Sequence, residues 1–302
     1  MNIKEIKKDY DNTVKNVIIP KLSKYKQNHK RICTTYCLIS LIILIAAFIC
    51  YKNEMQTAFY ICMSILGLST ILIQKITKNR EKQIKQTIMP KLIQSIPGFY
   101  WQLTPTITAD EIHKCKIIPF TKIASKIYDD CFLGKYKDTE IEICECRYVF
   151  EYITDFSGAF IKIRTNKKFQ GLTVIRPKST NKIQSYADMK LADIEEVSLE
   201  DIEFNKDNIV YSTNQIEARY LITTAFIERF KTLKNVFKTQ YAYCSFYNDS
   251  IYIALETYKD LFKLFKMECS LDNTEQFDLL FEEFTSILAL VDHFKLDQKL
   301  GL

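Results

Sequence analysis

The chain has 302 residues, 47% hydrophobic and 26% charged, with a formal net charge of +6. Such averages fit an ordinary folded protein of one or two domains, but the charge is unevenly placed. Residues 1–31 carry nine Lys/Arg against three Asp/Glu (net +6) and residues 75–91 carry six against one (net +5), which leaves −5 for residues 92–302. A mildly acidic C-terminal part argues against nucleic acid as a partner, which would want positive charge on the folded domain.

In residues 1–31, Ile3, Ile6, Tyr10, Val14, Val17, Ile18, Leu22 and Tyr25 recur at helical spacing between lysines, which predicts a basic amphipathic helix. Two uncharged runs follow, Ile32–Tyr51 and Met55–Ile73. At 1.5 Å per residue each matches a hydrocarbon core of about 30 Å. Only Lys52, Asn53 and Glu54 separate them, so they form an antiparallel hairpin (32–74). Basic flanks at both ends put both termini in the cytoplasm. A cleaved signal peptide is not expected, because 31 residues precede the first run and no small-residue cleavage pattern follows it.

The segment VKNVIIPKL (14–22) returns as IKQTIMPKL (84–92), on the other side of the hairpin. Pro20 and Pro90 fall about 18 Å and 24 Å of helix from the apolar runs, at similar heights. The arms 1–31 and 75–97 either pack together through their apolar stripes as a stalk, or lie on anionic lipid. In the second case Lys21, Lys24, Lys26, Lys30, Arg31, Lys75, Lys78 and Arg80 contact the membrane surface.

From residue 98 the pattern becomes that of an α+β domain, 98–302. KYKDTEIEICECRYVF (135–150), AFIKIRT (159–165) and GLTVIRP (171–177) predict a strand meander with turns at Asp155–Gly158 and near Gly171. Residues 178–193 are polar and irregular, a possible sub-boundary. NIVYS (208–212) predicts a strand. A helix from Thr213 to about Phe237 follows, capped by Thr213 or Asn214. YAYCSFY and SIYIALE predict a hairpin turning at Asn248–Asp249, and a final helix follows Thr274.

Catalytic motifs are missing. Six glycines form neither GxGxxG nor a P-loop, the three histidines stand alone, and there is no CxxC. No catalytic residue, metal site or cofactor is expected. The ten cysteines read as reduced thiols in a cytoplasmic setting. One residue stands out. On a continuous helix Arg219 falls in the apolar stripe of Ile216, Tyr220, Ile222, Phe226, Ile227 and Phe230, so it needs a buried acid, a route to solvent, or an anionic ligand. Tyr211 and Glu203 are the neighbours expected to share a ligand pocket with it.

DNIVYSTNQIEARYLITTAFIERFKTL (207–233), LEDIEFN (199–205) and SIYIALETYKDLF (250–262) resemble the bacterial domain of unknown function 3137. GKYKDTEIEICE, FSGAFIKI and KKFQGLTVI are similar to its strand region, and the second PKL segment to its leading helix. The resemblance spans roughly residues 86–265 and has the EARY core. Thr224 stands where the family has a proline, which predicts a straighter helix. The resemblance implies a bacterial inner-membrane protein with a cytoplasmic domain, a LemA-type membrane protein as a possible partner, and no established activity. Two functions follow: a membrane-tethered binding or scaffold module, or a membrane-associated enzyme acting on a lipid headgroup or peptide in a cleft around Arg219. A third use of the hairpin is oligomerisation within the bilayer.

Overall fold

The computed structural model describes residues 3–118, 123–137, 139–150, 155–166, 168–178, 194–239, 241–259, 261–262 and 275–294. They fall into two compact units, the helices up to Ser95 and the described residues from Ile96 onward.

The first unit is helical. Helix α1 (Ile3–Thr13) runs through five π-helical residues, Val14–Ile18, into α2 (Ile19–Lys52), and α3 (Gln56–Ile93) returns after a tight turn. The wider π turn sits directly before Pro20, whose missing N–H suits the start of α2. Both long helices are apolar enough to cross a membrane. Their apolar side chains are not a protein core: Leu38, Ile42, Phe48, Ile61, Leu68 and Ile71 are all exposed. Burial is concentrated instead in the repeated segments. Ile18 and Leu22 of the first copy, and Ile88 and Leu92 of the second, are almost fully buried, along with Ile6, Tyr10 and Val14. The arms therefore pack as a stalk, with α1 and α2 both contacting α3.

The second unit is built on nine strands. They are β1 (Phe99–Gln102), β2 (Ile123–Tyr136), β3 (Thr139–Phe150), β4 (Phe156–Arg164), β5 (Thr173–Pro177), β6 (Glu195–Glu196), β7 (Asn208–Ser212), β8 (Tyr241–Tyr247) and β9 (Ser250–Glu256). Helices α4 (Ala109–Lys114), α5 (Ile202–Asp207), α6 (Gln215–Leu221), α7 (Thr224–Val236) and α8 (Glu275–Phe294) complete it. The strands form one antiparallel sheet in the order β1-β2-β3-β4-β9-β8-β5-β7-β6. One face carries Phe132 and Phe246, which meet Phe284 of α8 and Phe226 of α7 edge to face. The other face packs Cys131, Cys144, Tyr148, Phe160 and Tyr243 against Ile107, Ile112, Cys115, Ile117 and Ile118. The fold is thus α+β with both faces of the sheet covered over its central strands.

Several expectations need correction. The predicted turn at Asp155–Gly158 is strand from Phe156, with Gly158 inside β4. The 14-residue β2 has Asp129–Asp130 and Gly134 in its interior. These turn-forming residues sit in a β-bulge, marked by a register shift between Tyr128 and Cys131, and further along the strand, so the strand continues. That shift sets Cys131 opposite Cys144 and brings their sulfur atoms into contact. The helix expected over 213–237 is two helices, because α6 ends at Leu221, Ile222 leaves the helical conformation and Thr223 is extended, its hydroxyl accepting the Phe226 N–H at 3.2 Å. Thr224 takes the first helical position, the one a proline favours, so the break persists without proline. The irregular stretch 178–193 lies, from residue 179, outside the described residues.

Candidate functional site

The splitting of the 213–237 helix decides where Arg219 points. Since the helix restarts at Thr224, the phase that placed Arg219 in line with Phe226 and Phe230 does not carry across. Arg219 is exposed and donates to the Gln215 carbonyl (3.1 Å) and side-chain oxygen (3.2 Å) on its own helix. Ile216 and Tyr220 beside it are 72% and 79% exposed. Tyr211 on β7 is half-buried against the cluster of Leu172, Val174 and Ile194. Glu203 on α5 meets Lys231 at 3.3 Å and borders a shallow cavity with Phe204, Phe230 and Lys234. Neither Tyr211 nor Arg219 lines that cavity. Arg219, Tyr211 and Glu203 therefore each have contacts of their own, on Gln215, the Leu172–Val174–Ile194 cluster and Lys231.

Glu217, one residue before Ala218, is the anchored member of the EARY segment. Its carboxylate accepts the N–H groups of Gln170 (2.8 Å) and Gly171 (3.1 Å). Asn214 caps α6 by accepting the Glu217 N–H at 3.0 Å, while Ala218 is fully buried. Gly171 is required by close approach, since a Cβ there would stand 2.4 Å from the Thr213 hydroxyl.

A cleft of about 350 Å³ lies over β1 to β4, lined by Tyr100, Thr106, Lys135, Glu140, Glu142, Lys162 and Arg164 among others. Antiparallel register builds it. Glu140 faces Lys135 on one side and Arg164 on the other, and Glu142 faces Lys162. Alternate residues of adjacent strands therefore bring a checkerboard of charge to one face. Lys135 meets Glu140 at 3.2 Å, and Arg164 bridges Glu140 (3.3 Å) and Asp249 (3.1 Å). Lys135 and Arg164 hold the Glu140 carboxyl below its ordinary range.

Glu142, buried to 6% exposure, accepts the Thr106 N–H and hydroxyl and the Ile107 N–H, which pins the loop before α4. Thr108 then forms a capping box with Glu111. Burial alone would raise the Glu111 pKa, but bonds from Lys162 and Thr108 outweigh it and the group is lowered. Every charged side chain named here has an internal partner, so the cleft suits a neutral or zwitterionic polar ligand better than a simple ion.

A separate acidic group was not foreseen. Asp129, Asp130 and Glu145 bring carboxylate oxygens within 4.8 Å of one another, a spacing that could hold a cation. Trp101 Nε1 donates to Asp130 at 2.7 Å and the Leu261 N–H to Glu145 at 2.8 Å. The bulge in β2 creates the group, and bulges carry no reliable spacing signal in a single sequence.

The structure therefore defines a class: an antiparallel α+β domain with a polar cleft, in a chain that also carries an apolar helical hairpin. Residues 154–296, just under half of the chain, match the family described as "Protein of unknown function (DUF3137)". The match begins later than the resemblance read from the sequence and extends through α8. No curated protein matches the chain. Among solved structures, the chain is similar to the crystal structure of the mycobacterial trehalose monomycolate transport factor A. That likeness has 13% identity and a TM-score of 0.36, over 68% of this chain and 91% of the other.

Proposed function

We propose that this protein is a membrane-anchored binding module without a catalytic centre of its own. The observation that carries this reading is the exposure of large apolar side chains along α2 and α3, from Leu38 to Leu72. In water such a surface would exceed what a monomeric soluble protein exposes, whereas in a bilayer it is the lipid-facing surface. The basic flanks favour both termini in the cytoplasm and contact of Lys30, Arg31, Lys75, Lys78 and Arg80, nearest the apolar runs, with anionic lipids, and the family resemblance implies a bacterial inner membrane.

The sheet domain is then the part that binds. The paired charges of the β1–β4 cleft favour a small zwitterionic ligand. Arg219, with exposed Ile216 and Tyr220, offers a surface for a protein partner, for which the family resemblance suggests a LemA-type membrane protein. Tyr211 and Glu203 stay as lesser candidates for ligand contact.

The test is fractionation of cells expressing the full chain. Retention in the membrane pellet after an alkaline carbonate wash, with release only by detergent, is the expected result. Release by carbonate or salt alone would leave a peripheral protein and end the anchored reading.

A further inference from the structure

Strand register brings an apolar wall and a charged wall to the β1–β4 cleft. Tyr100 of β1 stands directly across from Leu133 of β2, so their side chains share one face, and the Tyr100 ring is 53% exposed. Two residues on along β2 and on that same face, Lys135 lies opposite Glu140, and Glu140 lies opposite Arg164. The backbone holds Lys135 in place. Its N–H donates to the Gly98 carbonyl at 3.0 Å, and a Cβ on Gly98 would stand 2.6 Å from the Lys135 carbonyl oxygen. Gly98 therefore borders the cleft with bare backbone.

Only part of this charge is open to a ligand. Buried Glu142 already accepts three donors from Thr106 and Ile107, and Lys162 is mostly buried against Glu111. Lys135, Glu140 and Arg164 keep about half of their side-chain surface in solvent, at 65%, 47% and 54%. Exposed ion pairs are weak, so they exchange partners at little cost. Glu140 sits between two cations, 3.2 Å from Lys135 and 3.3 Å from Arg164. A ligand carboxylate can take both cations while a ligand ammonium takes Glu140, and every charge stays compensated. That exchange needs a ligand whose own opposite charges are equally close. An α-amino acid carries them on one carbon, whereas a phosphocholine headgroup holds them at the ends of a longer chain. A volume of about 350 Å³ is at the small end for ligand sites, and Tyr100 and Leu133 leave an apolar wall for a side chain.

We propose that the β1–β4 cleft takes a free α-amino acid with an apolar side chain, an assignment that rests on this cleft being the ligand site. The carboxylate lies on Lys135 and Arg164, the ammonium on Glu140, and the side chain against Tyr100 and Leu133.

The test is equilibrium dialysis of the full chain in detergent micelles against labelled L-leucine, glycine and phosphocholine, with leucinamide as a competitor for leucine. Saturable leucine binding at least tenfold tighter than that of glycine or phosphocholine is expected, with leucinamide competing at least tenfold more weakly than leucine itself. E140Q should weaken leucine binding at least tenfold, and Y100A should bring leucine close to glycine. E228Q, which removes an exposed, lysine-paired carboxylate on α7, should change it less than twofold. Glycine bound as tightly as leucine, or phosphocholine bound more tightly, would overturn the apolar amino acid and leave a zwitterion site standing. Absence of saturable binding of all three would remove both. Equal loss in E140Q and E228Q would overturn the assignment by taking the ligand away from this cleft. An unchanged circular dichroism melting curve for E140Q excludes misfolding as the cause of its loss.

Discussion

The Glu217 carboxylate accepts the Gly171 N–H at 3.1 Å, tying α6 to the segment that leads into β5, 46 residues earlier in the chain. The Gln170 N–H shares the same carboxylate. Removing it leaves two loop N–H groups without their acceptor. Glu217→Ala is expected to cost about 1–3 kcal/mol, with Glu217→Gln intermediate, in chemical denaturation followed by circular dichroism.

Arg219 should behave in the opposite way. Its partners are both on Gln215 in its own helix and its side chain is exposed, so Arg219→Met should change stability by less than about 0.5 kcal/mol. A loss above about 2 kcal/mol would mean that Arg219 holds a buried partner after all. If a protein partner docks on this face, the same variant weakens its capture while the melting curve stays in place.

This contrast shows how far the sequence is legible. Alternation and turn residues locate β7, β8, β9 and the Asn248–Asp249 turn, because these segments are short and locally determined. The final helix follows from its stripe of Phe277, Leu280, Phe284 and Leu288, all buried. What could not be read is anything that depends on one local break propagating. Treating 213–237 as one helix turns Arg219 inward, while the extended Thr223 resets the phase and leaves it in water. The bulge at Asp129–Asp130 likewise hid β2, the Cys131–Cys144 pairing and the acidic group. The β1–β4 cleft depends on strand register, which the sequence does not state.

Gly158 gives a sharper test of that register. Its φ is +149°, and a Cβ would stand 1.9 Å from the Leu255 carbonyl oxygen across the β4–β9 pair. Gly158→Ala is expected to lose roughly 3 kcal/mol or to fail to fold, because both the backbone conformation and the interstrand spacing oppose it. An unchanged denaturation midpoint would show that β4 and β9 are not paired in this register.

Stability should also depend on Glu283 of α8. Burial, reinforced by Glu282, pushes its pKa up to about 7, against opposition from the Phe262 N–H and Lys238. The folded state therefore binds this proton more tightly than the unfolded chain does. The contribution is fully present below the ordinary carboxylate pKa and is lost as pH rises to about 7, after which it is flat. Glu283→Gln should remove that slope and be more stable than wild type at pH 8, by up to about 3 kcal/mol. Parallel pH profiles for the two proteins would contradict the assignment.

The account rests on α2 and α3 crossing a bilayer as a hairpin with both basic ends on one side. A single cysteine at Asn53, in a background with the native cysteines replaced, tests this with a membrane-impermeant thiol reagent applied to cells stripped to the inner membrane. Labelling of position 53 in intact cells, with a C-terminal tag accessible only after lysis, is the predicted result. Labelling at position 53 only after lysis, or a tag accessible from outside, would contradict it.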